Sequence, residues 1–296
     1  MMTTGMLTVG EKVKQLRKSL KLSQIELASG ICHQSLISHI EKGRTIPTVY
    51  VLNQIAIKLG VDMTYFLNVL STENEYYISA FKSLVQLEVR NRNYENLKKL
   101  LESEQNNPLF NSTELQLFIK WHMGICIYYL DSDPVISIKV LKDSLDESLN
   151  NKSVTMTHVE MLNSLGIIYA EINDIQSAIT IFKEALNTIK KLPVLLDKSI
   201  QLKVYYNYAK VLTRNNQLRE SLRICEKGIN LAIKIRSLVC LGELYYQIGY
   251  NYSFMNKKAN AYDFYKIAKG IFIAERNDLM VKCIREKLKE FEKSNR

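Results

Sequence analysis

The strongest constraint on the fold is a pattern that returns three times in the second half of the chain. Its first copy is Leu165-Gly166, Tyr169, Ala178, Phe182 and Ala185. The second is Tyr208-Ala209, Leu212, Ser221, Cys225 and Gly228, and the third Ile248-Gly249, Tyr252, Ala261, Tyr265 and Ala268. Gly166, Ala209 and Gly249 lie 43 and then 40 residues apart. Within each copy the marked positions recur at helical steps, the mark of helices that bury one stripe. The small residues let two antiparallel helices approach closely, and the aromatic rings fill the space beside them. Such a unit cannot bury its apolar face alone, so copies must stack. A weaker copy covers 117–149 (Gly124, Ile127, Ser137, Leu141, Ser144), with one inserted residue, and the weakest covers 80–101. A terminal helix is expected over 279–291.

This spacing is that of tetratricopeptide helical hairpins, lengthened beyond the usual ~34 residues, with the excess assigned to the second helix of each pair. About five hairpins are expected; a non-repeating helical bundle is the alternative. Eleven Gly and four Pro in 296 residues leave few helix breakers. The expected class is therefore all-α.

Residues 9–70 are patterned differently, as five short helices. The first, over 9–20, places Val13, Leu16 and Leu20 on one face. The second opens on Ser23-Gln24-Ile25-Glu26, a capping box. Gly30 supplies a turn. The third, over 33–42, stops at Gly43. Pro47-Thr48 starts a fourth that ends near Leu59-Gly60, and a short fifth covers 63–70. The expected division is 1–70 as one domain, 71–79 as a linker or the start of a linker helix, and 80–296 as the repeat domain.

Net charge is +10, and residues 1–70 hold eight Lys/Arg against four Asp/Glu. A basic surface suits a polyanion, although many soluble proteins are as basic. Five scattered cysteines without a CxxC pair point to reduced thiols in a cytoplasmic protein. No apolar run approaches ~18 residues, so no membrane partner is expected. The first residues lack the basic and apolar regions of a secretory signal. No phosphate loop, HExxH or Ser/His/Asp grouping is present, so neither an enzyme nor a cofactor is expected.

The stretch from Leu16 to Val61 resembles the helix-turn-helix domain of the lambda/434 repressor class, also called the Xre class. The resemblance rests on Ser-Gln-x-Glu-Leu-Ala at 23–28, Ile-Ser-x-Ile-Glu-Lys-Gly at 37–43, and Pro47 before the fourth helix. It implies a five-helix domain whose third helix enters the major groove of double-stranded DNA. By position the readers are His33, Gln34, Ser35, Ser38 and His39. Gln34 is the foremost, since a primary amide can pair bidentately with adenine. His39 can donate to guanine. Gln24 is placed for a backbone phosphate, and Lys42, Arg44 and Thr45 for phosphates after helix 3. Ile25, Leu27, Ala28, Ile37, Ile40 and Leu52 are expected in the core. Arg17 and Glu41 resemble the internal ion pair of the class. The turn between helices 2 and 3 is about one residue shorter than usual, which shifts the readers by up to one position. Cys32 and His33 lack further ligands nearby, so no metal site is expected. A domain of this kind dimerises to read two half-sites, so a homodimer on an inverted-repeat operator is expected.

A stack of hairpins presents a groove lined by the first helix of each pair, suited to an extended peptide. Those helices carry Asn163, Tyr206, Asn207, Lys210, Glu243, Tyr246, Gln247 and Tyr250. Their polar groups can equally bond between hairpins or face solvent. Over its whole length the chain resembles the PlcR/PrgX/Rgg group of quorum-sensing regulators, nearest its PlcR branch. The resemblance rests on Ile31-Cys32-His33-Gln34-Ser35, Tyr206-Asn207 and Leu244-Tyr245-Tyr246-Gln247. It implies a cytoplasmic receptor for a short signalling peptide, with peptide contacts at Arg90, Arg92, Asn163, Asn207, Glu243 and Gln247. Glu243 stands where an amide is typical, and Arg90 and Arg92 stand where lysines are. Two other functions remain open: a phage-type repressor or antitoxin whose repeats only dimerise, and a peptide-controlled adaptor that binds proteins.

Overall fold

The structure, a computed structural model, describes residues 9–67, 73–149, 155–192 and 197–294. The expectations for the first eight residues, for the end of the fifth helix at 68–70 and for the start of the linker lie outside them. All regular structure among the described residues is helical. The chain forms two compact units, Met1–Asn91 and Arg92–Arg296.

The first unit contains α1 (Val9–Ser19), α2 (Gln24–Ala28), α3 (Gln34–Glu41), α4 (Val49–Lys58), α5 (Thr64–Leu67) and α6 (Glu73–Asn91). Val13, Leu27, Ile37, Ile40, Leu52, Ile55 and Phe66 form one core. The capping box at α2 is complete. Ser23 Oγ accepts from the Glu26 amide at 3.1 Å, and Glu26 accepts from the Ser23 amide at 2.6 Å. Thr48 caps α4 through the Val51 amide. Gly43 closes α3 with φ +66°, a conformation that favours glycine.

One expected core position, Ile25, and one expected helical position, Leu20, are corrected. Ile25 is 70% exposed. α2 spans only five residues, and Leu27 and Ala28 take its buried side, which turns Ile25 outward. Leu20 is half exposed because α1 ends at Ser19, before the expected face reaches it. A position unmarked by the sequence reading proves tighter than either. A Cβ on Gly10 would lie 1.9 Å from the Ile40 carbonyl oxygen, so glycine alone lets α1 lie against the end of α3.

The second unit comprises α7 (Tyr94–Glu104), a 3-10 turn (Pro108–Phe110), α8 (Thr113–Leu130), α9 (Pro134–Leu149), α10 (Met156–Glu171), α11 (Ile175–Lys191), α12 (Ser199–Arg214), α13 (Leu218–Ile235), α14 (Leu241–Phe254), α15 (Lys258–Ala274) and α16 (Asp278–Ser294). The pairs α8/α9, α10/α11, α12/α13 and α14/α15 are hairpins, each packed on the next, with α7 before and α16 after. The first helices also touch in series, α8 to α10 to α12 to α14, and so form one wall.

Close approach explains the repeated small residues. A Cβ on Gly166 would meet the Phe182 ring at 2.8 Å, and one on Gly249 the Tyr265 ring at 3.0 Å. Ser137, in the weak fourth copy, is buried and donates to the Gly124 carbonyl at 2.7 Å. Every hairpin turn holds one residue at positive φ: Ser132, Asn173, Asn216 and Asn256, with Arg92 at the α6–α7 turn. Asparagine tolerates that conformation better than most residues, which explains its three appearances.

Candidate functional sites

The first site is the outer edge of α3. His33 is its N-cap and makes no side-chain cap bond. His33, Gln34, Ser35 and His39 are exposed and Ser38 is half-buried, while Ile37 and Ile40 face the core. The expected readers thus share one edge. Lys42, Arg44 and Thr45 follow it and are exposed.

Behind that edge runs a chain of hydrogen bonds from the core. Arg17 Nη1 donates to the Leu22 carbonyl at 2.6 Å, and its Nε and Nη2 pair with both oxygens of Glu41, the latter at 2.9 Å. Gln24 Nε2 donates to Glu41 Oε2 at 2.8 Å, and Gln34 Nε2 donates to Gln24 Oε1 at 2.7 Å. Burial pushes the Glu41 carboxyl up, but the hydrogen bonds from Arg17 and Gln24 outweigh it and hold the group below its ordinary value. Gln24 therefore spends one N–H and its oxygen inside the protein, and only its second N–H is left for a phosphate. The Gln34 amide is held by its nitrogen on an exposed side chain. Helical periodicity cannot reveal such a relay, because its members lie 10, 17 and 24 positions apart.

The second site is the wall of first helices. Asn207 Nδ2 donates to Asn163 Oδ1 at 3.0 Å, which links α12 to α10. Lys210 Nζ sits 5.5 Å from the centre of the Tyr206 ring. The Lys210 ammonium is held below its ordinary value, chiefly by the loss of water around it and also by Arg92 and Arg214; Glu171 opposes the shift. Removal from water raises the Tyr206 phenol, and Glu243 adds to it. Tyr246 and Tyr250 stack at 6.3 Å, and Tyr250 meets Phe254 edge-on at 4.9 Å. Arg90 and Arg92 are exposed, the first in the last turn of α6 and the second at the left-handed turn after it.

Gln247 is placed otherwise than its neighbours. It is 5% exposed and donates to Thr213 Oγ1 at 2.8 Å. Thr213, Ser221 and Asn251 complete a buried network, in which Asn251 Nδ2 donates to Ser221 Oγ at 2.8 Å. Here the Gln247 amide ties α14 to α12, and Asn251 ties it to α13. Glu243 is the reverse case. One of its carboxylate oxygens is buried without any hydrogen-bond partner, and burial raises its pKa. Arg214 and Glu171, which the sequence does not single out, join Lys210 on this wall. Among the described residues no group of three or more His, Cys, Asp or Glu could hold a metal ion, and no helix is long and apolar enough to cross a membrane.

Residues 82–292 match the RNPP family C-terminal domain, and residues 13–66 match a helix-turn-helix family. No curated protein matches the chain. Among solved structures, PlcR of Bacillus thuringiensis in complex with the peptide PapR7 and DNA is 27% identical, with a TM-score of 0.72; the alignment covers 94% of this chain and 98% of that one. Its apo form is 25% identical, with a TM-score of 0.66 and coverage of 95% and 98%. The pheromone receptor Rgg2 of Streptococcus dysgalactiae, at 16% identity, shares the fold, with a TM-score of 0.62 and coverage of 96% and 99%.

Proposed function

The chain belongs to the RNPP family, and from that premise we propose that it is a DNA-binding transcription regulator whose activity is set by a short signalling peptide held on the repeat wall. The observation that carries this reading is the match to PlcR along almost the full length of both chains, a protein solved with both a peptide and DNA. The exposed edge of α3 and the polar, tyrosine-rich wall supply the two surfaces the function needs.

In this reading α3 enters the major groove. Gln34 reads adenine through its free oxygen and remaining N–H, and His33, Ser35, Ser38 and His39 read neighbouring positions. Gln24, Lys42, Arg44 and Thr45 hold phosphates and fix the register. The peptide lies against Arg90, Arg92, Asn163, Tyr206, Asn207, Glu243 and Tyr246, with Gln247 positioning the wall or turning toward the peptide. Residues 1–70 form the DNA-binding domain, 71–79 the link, and 80–296 the sensing and dimerising domain. The regulator works in the cytoplasm as a homodimer on an inverted repeat, and no step calls for catalysis. A peptide controls it by binding one dimer arrangement better than another, and shifts the populations only by that difference.

The test is selection of bound duplexes from random DNA, with and without a small-peptide fraction of the producing culture. The reading requires an inverted repeat whose recovery changes with the fraction. Recovery of the same repeat regardless of any peptide would favour a purely dimerising repeat domain.

A further inference from the structure

Along the wall of first helices, cations gather toward the helix ends, while around the start of α14 two carboxylates, Glu243 and Glu275, stand with one cation, Lys203. Lys210 and Arg214 occupy the last turns of α12, and Arg92 contributes to the field at Lys210. Glu171 is the carboxylate that acts on Lys210, and it already accepts from the Tyr129 hydroxyl at 3.0 Å, while Arg214 donates to the Ala170 carbonyl at 2.6 Å and to Asn173 Oδ1 at 3.1 Å. Glu243 lies in the first turn of α14. First helices of stacked hairpins run the same way, so Glu243 sits at the opposite edge from Lys210. Glu275, the C-cap of α15, returns to that same edge and raises the negative field there.

Glu243 Oε2 is buried and unpartnered. Native proteins satisfy nearly all buried acceptors, and one left open loses the hydration it had in water without a replacement. Lys203 stands at the same edge but makes no hydrogen bond to this oxygen. A ligand that brings a charged N–H donor would remove the cost, and charge-assisted bonds are roughly twice as strong as neutral ones.

We propose that Glu243 seats a cationic group of the bound peptide, either a lysine or arginine side chain or the free α-amino group, while Lys210 with Arg214 receives an acidic group. The wall then selects peptides of opposite charge at two positions and fixes their direction. The proposal rests on the peptide-sensing reading above and names its ligand chemistry.

Two random-sequence libraries of short synthetic peptides, one with free and one with acetylated amino termini, are passed over the full-length protein, and retained peptides are sequenced by mass spectrometry. Wild type is expected to enrich a basic residue at one position about tenfold, or to require the free terminus, and to enrich an acidic residue elsewhere. Glu243→Gln keeps the shape of the side chain. It should abolish the basic preference and leave the acidic one, and Lys210→Gln should do the reverse. Thermal melting confirms that both variants fold. Retained peptides without a basic preference, or a preference unchanged in Glu243→Gln, would overturn the proposal and leave peptide sensing intact. If wild type binds duplex DNA but retains no peptide from either library, peptide sensing itself fails.

Discussion

At the scale of single residues, the proposed recognition edge depends on the hydrogen bonds made behind it, from Glu41 through Gln24 to Gln34. Gln34→Ala should cost about 1–3 kcal/mol at one base position and relax specificity there, read by competition among duplexes that differ at that position. Gln24→Ala should act in the same direction, since it releases the Gln34 amide that it holds at 2.7 Å. Glu41→Ala strands the Arg17 guanidinium, 9% exposed, and should cost about 3 kcal/mol of stability in denaturant titration. The folded Glu41 carboxyl titrates below its ordinary 4.5. Its contribution is therefore complete above that pH and is lost as pH falls through the lower folded value. Glu243 has the opposite sign. Its raised pKa means that ionisation costs stability as pH rises. Glu243→Gln should thus melt about 2–4 °C higher than wild type near pH 7, while losing its peptide preference.

At the scale of helices, close packing within the α10/α11 and α14/α15 hairpins turns on a missing Cβ, at Gly166 and Gly249. Gly166→Ala forces the Phe182 ring to move and should destabilise by about 1–3 kcal/mol. Gly270, on the exposed side of α15 with nothing within 4 Å of its Cβ position, is the control. Gly270→Ala should stabilise by about 1 kcal/mol through helix propensity alone, read by the same denaturant midpoints. These elements also mark the limit of sequence reading. The long helices of the hairpins were legible, down to the buried Leu165, Ala178 and Phe182, because several turns of periodicity average out local exceptions. α2, with barely one turn, has no such window, and Ile25 was misplaced. The Arg17–Glu41 pair was legible through family resemblance. The Gln24–Gln34 bond, the Thr213–Asn251 network and the open Glu243 oxygen were not, since each depends on partners from other helices that no local pattern ties together.

At the scale of the whole molecule, the account makes one chain answer to two ligands. The single tryptophan, Trp121, donates to Ser164 Oγ at 3.2 Å, beside Asn163 on α10. Its fluorescence should therefore respond when a peptide occupies the wall, independently of any DNA. With Lys42 and Arg44 proposed to act on phosphates, binding to DNA should weaken steeply with salt. The central claim is that the edge from His33 to His39 reads duplex DNA, and the most direct measurement is retention of random duplexes by wild type and by Gln34→Ala at about 0.1 M salt. The account predicts an inverted repeat from wild type and the same repeat with one relaxed position from the variant. Retention of no duplex, or identical sequence preference in both proteins, would contradict it.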